Sequence, residues 1–232
     1  MNFPAPIQKG KLIKRYKRFL ADIELGGEII TAHCANSGSM MGVKDEGASV
    51  WVSPATNPNR KLKWDWHVIE INKARVCINT ALPNKIVEEA ILSDHVPELA
   101  GYETLRREVK YGKNSRIDIL LEDPNKPPCY VEIKNVTLSR ETGLAEFPDA
   151  RTERGTKHLR ELADMARQGH RAVMFYLVNR DDCTSFKLAD DIDTDYATQF
   201  EKAAKAGVEK IIYSTEITQG GITLDKSLRA LI

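Results

Sequence analysis

The chain has 232 residues, of which 42% are hydrophobic and 29% charged, with a formal net charge of +1. That length supplies one large domain or two small ones with a substantial core, and the charge balance names no partner. No apolar run approaches the ~20 residues of a membrane span and no signal-peptide pattern opens the chain, so a cytoplasmic protein with no membrane partner is expected. The four cysteines, Cys34, Cys77, Cys129 and Cys183, are too far apart for a C-x-x-C or zinc grouping, which points to reduced thiols.

The chain begins basic. Residues 1–21 hold no Asp or Glu but carry Lys9, Lys11, Lys14, Arg15, Lys17 and Arg18. Clustered cations suit a phosphate backbone, since each neutralised phosphate releases counterions; a solvated basic edge strand is the competing explanation. Alternation through Phe19, Ala21, Ile23 and Leu25 predicts a strand, and Gly26-Gly27 a turn. Return strands follow over 28–34, 49–53 and 64–68, and a fifth over 75–79 after the Asn72-Lys73 turn. Five short strands with irregular loops predict a small OB-fold-like β-barrel over residues 1–80. One of its loops carries Arg60 and Lys61.

From Leu82 the periodicity changes. Pro83-Asn84 opens a predicted helix with Ile86, Val87, Ala90 and Ile91 on one side. Two or three strands span about 105–134. A helix over Lys157–Gln168 ends at Gly169, and Ala172–Val178 is a continuous apolar strand of the kind buried on both faces. A last helix near 195–206 precedes a strand at 210–213. The order helix, three strands, helix, strand predicts an α/β (α+β overall) three-layer domain over residues 81–232.

Chemistry concentrates in two of these strands. Asp118 stands in the apolar Ser115–Leu121 segment, and Glu132-Ile133-Lys134 follows in Cys129–Lys134. Side chains alternate along a strand, so Glu132 and Lys134 share a face. With Asp118 on a neighbouring strand, two carboxylates and an ammonium converge as in a Mg²⁺-dependent phosphodiesterase. A Glu-x-Lys pair alone is more commonly a solvated ion pair, but an acid inside an apolar strand calls for a reason.

That element order with Asp…Glu-x-Lys resembles the restriction-endonuclease-like, PD-(D/E)xK nuclease fold. Further strings, Leu12–Asp22, Glu108–Gly112, Ser115–Asp118 and Arg154–Leu162, resemble the sugar fermentation stimulation protein A family over essentially the whole chain. The resemblance implies an N-terminal OB-type domain, a restriction-endonuclease-like C-terminal domain, and DNA binding. Small departures occur: Ala35 and Ser37 replace the usual Pro and Thr of one loop, and Thr156 replaces a usual Gln on the helix beside the site.

On this basis Asp118 and Glu132 are the expected ligands of Mg²⁺ or Mn²⁺, joined by the backbone carbonyl of Ile133. Lys134 positions the attacking water and offsets charge on phosphorus; a lysine of ordinary pKa, about 10.4, is a poor base at neutral pH. Periodicity leaves Glu88 and Glu89 open as an additional acid, and the family's Glu-Ala-Ile string favours Glu89. Lys157 and His158, placed at the start of their helix, are expected beside a phosphate, with Lys157 as the catalytic candidate and His158 as a residue that supports the metal ligands from behind. Lys11, Lys14, Arg15, Lys17, Arg18, Arg60 and Lys61 are the candidate DNA contacts. One exposed residue among Trp51, Trp64 and Trp66 would suit a single-strand groove. The alternative function is a non-catalytic DNA-binding regulator of sugar (maltose) metabolism on a nuclease scaffold, and an RNA-directed enzyme is a weaker third. Cutting both strands of a duplex would favour a symmetric homodimer.

Overall fold

A computed structural model describes residues 1–231. The N-terminal unit is a closed ring of five strands: β1 (Gln8–Tyr16), β2 (Leu20–Leu25), β3 (Glu28–Cys34), β4 (Ser49–Pro54) and β5 (Trp64–Ile71). β1, β2 and β3 form an antiparallel meander. β3 then runs parallel to β5, β5 antiparallel to β4, and β4 antiparallel to β1, which closes the barrel in OB order. Closure leaves no unpaired edge among the five. Leu12, Ile23, Ala32, Val50, Trp66 and Ile69 fill it. Full burial of a Leu, Ile or Val side chain among them is worth about 1.5–3 kcal/mol.

The ring differs from expectation in its membership. β1, the basic segment, is its fifth strand, whereas the 75–79 segment forms β6 (Ala74–Cys77), which pairs with β5 outside the ring. β1 hides from a period-two search because its register shifts between Leu12 and Lys14 and only Leu12 is buried. The Gly26-Gly27 turn is as predicted, with both residues at positive φ.

The remainder builds three layers. α1 (Pro83–Leu92) and a 3₁₀ turn (Pro97–Leu99) precede the strands β7 (Thr104–Tyr111), β8 (Ser115–Asp123) and β9 (Lys126–Val136). Next come β10 (Leu138–Glu141), β11 (Leu144–Phe147), α2 (Glu153–Arg167), β12 (Arg171–Val178), β13 (Ser185–Leu188), α3 (Thr194–Lys205), β14 (Glu209–Ile217), β15 (Ile222–Ser227) and β16 (Arg229–Ala230). The central sheet runs β15-β14-β12-β9-β8-β7, with β9, β12 and β14 parallel and the flanking strands antiparallel. A small sheet, β10-β11-β13-β16, lies beside it and was not anticipated.

Alternation along β9 divides the core. Val131 and Ile133 pack with Ile86 and Val87 of α1 on one face, where Trp51, Val68 and Cys77 join from the barrel side. On the other face Leu159 and Leu162 of α2 meet Met174, Tyr176 and Tyr196. Further bonds fasten the barrel to this domain: Cys77 N–H to the Asn179 carbonyl at 2.9 Å, and Met40 N–H to Asp149 at 3.0 Å.

α2 begins at Glu153, four positions before the expected Lys157. Thr152 caps it, its hydroxyl accepting from Gly155 N–H at 3.0 Å. Glycine is required there: a Cβ on Gly155 would stand 2.9 Å from the Thr152 side chain and 3.0 Å from Tyr196. Lys157 and His158 therefore lie in the second turn, not at the helix start.

Candidate active site

Pairing between β8 and β9 reaches Ile119 opposite Val131, and beyond it the strands part. At that fork Asp118 substitutes for a backbone partner. Its Oδ2 accepts the Ile133 N–H at 2.7 Å, and its Oδ1 accepts from Asn84 Nδ2 of α1 at 2.8 Å. Burial, then the charge of Glu132, pushes the Asp118 carboxyl up to about 6, against the hydrogen bonds from Ile133 and Asn84.

Glu132 lies on the α2 side of β9 and is only 3% exposed. Its Oε1 accepts from Lys134 Nζ at 2.8 Å and also meets His158 Nδ1. Arg154 Nε donates to His158 Nε2 at 3.4 Å, and His158 Nδ1 faces both Glu132 and Lys134 Nζ, the latter at 3.3 Å. Burial would raise the Glu132 pKa, but Lys134 and His158 outweigh it and hold the carboxylate below its ordinary range. Its second oxygen, Oε2, is buried and has no hydrogen-bond partner among the described residues.

Two more orphaned atoms lie on the same side: the Tyr111 hydroxyl and Glu161 Oε2. Burial and the charges of Glu132, Glu161 and Asp118 hold the Tyr111 phenol well above its usual value. Glu161 Oε1 is engaged, accepting from Lys113 N–H at 3.0 Å.

These groups suit a hard divalent cation. An unpartnered buried carboxylate oxygen is costly, and a cation would satisfy it. Among the described residues no set of three His, Cys, Asp or Glu side chains forms a complete cage. Two carboxylates with the remaining positions left to backbone, water or phosphate is the donor set that Mg²⁺ prefers.

Of the predicted residues, Asp118, Glu132 and Lys134 come together at the fork, and Ile133 takes part through its N–H. Glu89 does not join them: its carboxylate faces the Met1 ammonium at 2.8 Å and Lys85 at 3.8 Å. Glu88 pairs with Arg107 at 3.1 Å, so α1 contributes Asn84 instead. Lys157 turns aside to the Lys113 carbonyl at 3.0 Å, and its neighbour His158 is the α2 residue that reaches the carboxylate. Asn84, Tyr111 and Glu161 were missed, and no local sequence pattern distinguishes them.

The barrel cations divide into two groups. Lys11, Lys17, Arg18 and Lys61 are exposed and have no ion-pair partner among the described residues, while Lys14 stands 3.7 Å from Asp22. Arg15 is a structural strap, donating to the carbonyls of Arg18, Asn36 and Gly38. Arg60 grips Asp65 through two bonds of 2.8 Å. Trp51 and Trp66 are buried and Trp64 packs against the barrel core; the exposed ring is Phe19, stacked on His33.

Fold and site define a two-part chain, an OB-type barrel carrying a restriction-endonuclease-like α/β domain with acids at a strand fork. Residues 13–78 match the SfsA N-terminal OB domain, and residues 81–221 match the sugar fermentation stimulation protein RE domain. The chain belongs to the sugar fermentation stimulation protein family. It is 54% identical to a sugar fermentation stimulation protein homolog of Paramagnetospirillum magneticum, covering 98% of this chain and 97% of that one. A homolog from a Ruegeria species is 53% identical, covering 97% of each. Among solved structures, Pyrococcus furiosus SfsA in complex with Ca²⁺ superposes with a TM-score of 0.90 at 27% identity, covering 100% of this chain and 98% of that one. No helix of the described residues is long and apolar enough to cross a membrane.

Proposed function

We propose that this protein is a divalent-metal-dependent DNA phosphodiesterase whose site is the β8–β9 fork. The observation that carries the reading is Glu132 Oε2, a buried carboxylate oxygen without a partner among the described residues, beside Asp118 and Lys134. Asp118, Glu132 and the Ile133 carbonyl are the proposed ligands of Mg²⁺ or Mn²⁺. Such an ion, when bound, supplies positive charge to a phosphate and acidifies a water. The Ca²⁺ held by the P. furiosus relative supports a divalent site in this fold. Asn84 and the Ile133 N–H fix the Asp118 carboxylate, and His158 fixes Glu132. Lys134, tethered to Glu132, offers its ammonium to the charge that builds on phosphorus. The exposed cations of β1 and the β1–β2 turn give the chain a phosphate-binding surface on the barrel.

A second reading, a non-catalytic DNA-binding regulator, is favoured by one observation: Lys134 and His158 both occupy Glu132 Oε1, closing half of that carboxylate. A cleavage assay separates the two. Labelled single-stranded and duplex DNA is incubated with Mg²⁺, Mn²⁺ or EDTA, with wild type and Glu132→Ala. Metal-dependent cutting that Glu132→Ala abolishes, with DNA binding retained, supports the nuclease. Salt-sensitive binding without cutting in any metal supports the regulator.

A further inference from the structure

A cleft of about 740 Å³ runs between α2 and α3, distinct from the barrel's basic strand. Four cations line it from α2 and the residue pair before it, Arg151, Arg154, Lys157 and Arg160, and α3 adds Lys202 across the cleft. Of the five, only Lys157 has an acidic partner among the described residues, Glu161 at 3.6 Å. Three carboxylates also border the cleft, but Asp193 is buried and turned inward, accepting from the Thr152 and Tyr196 N–H groups. Glu153 and Asp195 sit in the first turns of the two helices.

The topology puts this cleft at the working edge of the sheet. α2 ends where β12 begins, and α3 ends where β14 begins. Both helices pack back along strands parallel to β9, so their N-termini lie at the carboxyl ends of β9 and β12. That is the edge at which α/β sheets bind ligands. The Thr152 N–H bond to Asp193 ties the two helix starts together at 2.7 Å. A side-chain chain links the cleft to the fork: Arg154 contacts His158 at 3.4 Å, and His158 meets Glu132.

From this arrangement we infer that the α2–α3 cleft is the track along which the sugar-phosphate backbone of DNA enters the site. The inference rests on the phosphodiesterase reading and adds a substrate path that the barrel cations do not provide. Arg154 and Arg160 are six residues apart, about 9 Å along a helix. One duplex strand carries a phosphate per ~3.4 Å of axis, so that wall spans two or three phosphates. Helix N-termini beside the cleft add partial positive charge where the phosphate nearest the fork would lie.

The test is DNA binding as a function of salt, in EDTA so that nothing is cut. Fluorescence anisotropy of a labelled oligonucleotide, single-stranded and duplex, is followed from about 50 to 200 mM salt. Wild type is compared with the triple variant Arg151→Gln, Arg160→Gln, Lys202→Gln. A control triple, Lys44→Gln, Arg167→Gln, Lys226→Gln, removes equal charge from exposed sites elsewhere. The cleft triple is expected to flatten the log–log salt slope by about 2–3 and to weaken binding at least ~10-fold, with the control slope within ~0.5 of wild type. Equal slopes for the two triples, or no salt-dependent binding by wild type, would overturn the inference. If the cleft triple does not fold, Arg160→Gln alone should lower the slope by about 1. Failure of the nuclease reading remains separate: wild type that binds through the cleft but never cuts leaves the track and removes the enzyme. Wild type that cuts, with a cleft triple that binds and cuts equally well, removes the track and leaves the enzyme.

Discussion

Asp118 accepts the backbone N–H of Ile133 at 2.7 Å, at the place where β8 and β9 cease to pair. One carboxylate thus both stabilises the strand fork and presents its charge to Glu132, the next acid along the neighbouring strand. The cost of that arrangement is electrostatic, and it is measurable.

The Asp118 pKa is raised in the folded protein to about 6, by burial first and by Glu132 second. A raised carboxyl favours the protonated folded state, so its ionisation destabilises the metal-free protein as pH climbs from about 4 to about 6, and the loss is complete above that. In EDTA, Asp118→Asn should therefore be more stable than wild type at pH 8, by up to about 3 kcal/mol at ~1.4 kcal/mol per pH unit. The difference should vanish near pH 4. Thermal unfolding across that range checks the sign, and Asp118→Asn should also lose cleavage at least ~100-fold.

Glu132 carries the opposite sign, being held below its ordinary range once Lys134 and His158 outweigh burial. Lys134 is itself only 12% exposed. Glu132→Gln should leave that ammonium without its counter-charge and cost about 1–3 kcal/mol in urea unfolding. Lys134→Met introduced with it should restore part of the loss, which a double-mutant cycle reads directly.

His158 orients Glu132, whereas Lys157 binds the Lys113 carbonyl. His158→Ala should lower metal affinity or cleavage by about 10–100-fold, the scale for groups that hold a metal-binding carboxylate. Lys157→Ala should act mainly on KM, through the cleft. Equal losses of kcat in the two variants would contradict the assignment.

Gly155→Ala places a methyl against Thr152 and Tyr196 in the first turn of α2. It should destabilise the protein by about 1–3 kcal/mol in chemical unfolding, because neither neighbour can withdraw without disturbing the cap or the α2–α3 contact.

The convergence of charged side chains at the fork was more legible in the sequence than the residues that support it. Asp118, Glu132 and Lys134 were legible because strand alternation is a strict geometric rule, and the buried β12 run was legible from its unbroken hydrophobicity. Glu89 was misplaced for a non-local reason: its carboxylate turns to the Met1 ammonium, far away along the chain. His158 was legible as a supporting residue but was placed a turn too early on its helix, because Gly155 and the polar residues around it concealed the first turn of α2. β1 lacks alternation at its register shift, and β10, β11, β13 and β16 are at most four residues long, too short for a period to declare itself.

The central claim, that Asp118 and Glu132 hold a divalent cation, is tested most directly by Mn²⁺ binding followed by electron paramagnetic resonance on metal-free protein. Wild type, Asp118→Asn and Glu132→Gln are titrated without DNA. The account predicts one bound Mn²⁺ in wild type, displaced by Mg²⁺, and at least ~10-fold weaker binding in each variant. Wild type that binds no Mn²⁺, or variants that bind it as wild type does, would contradict it.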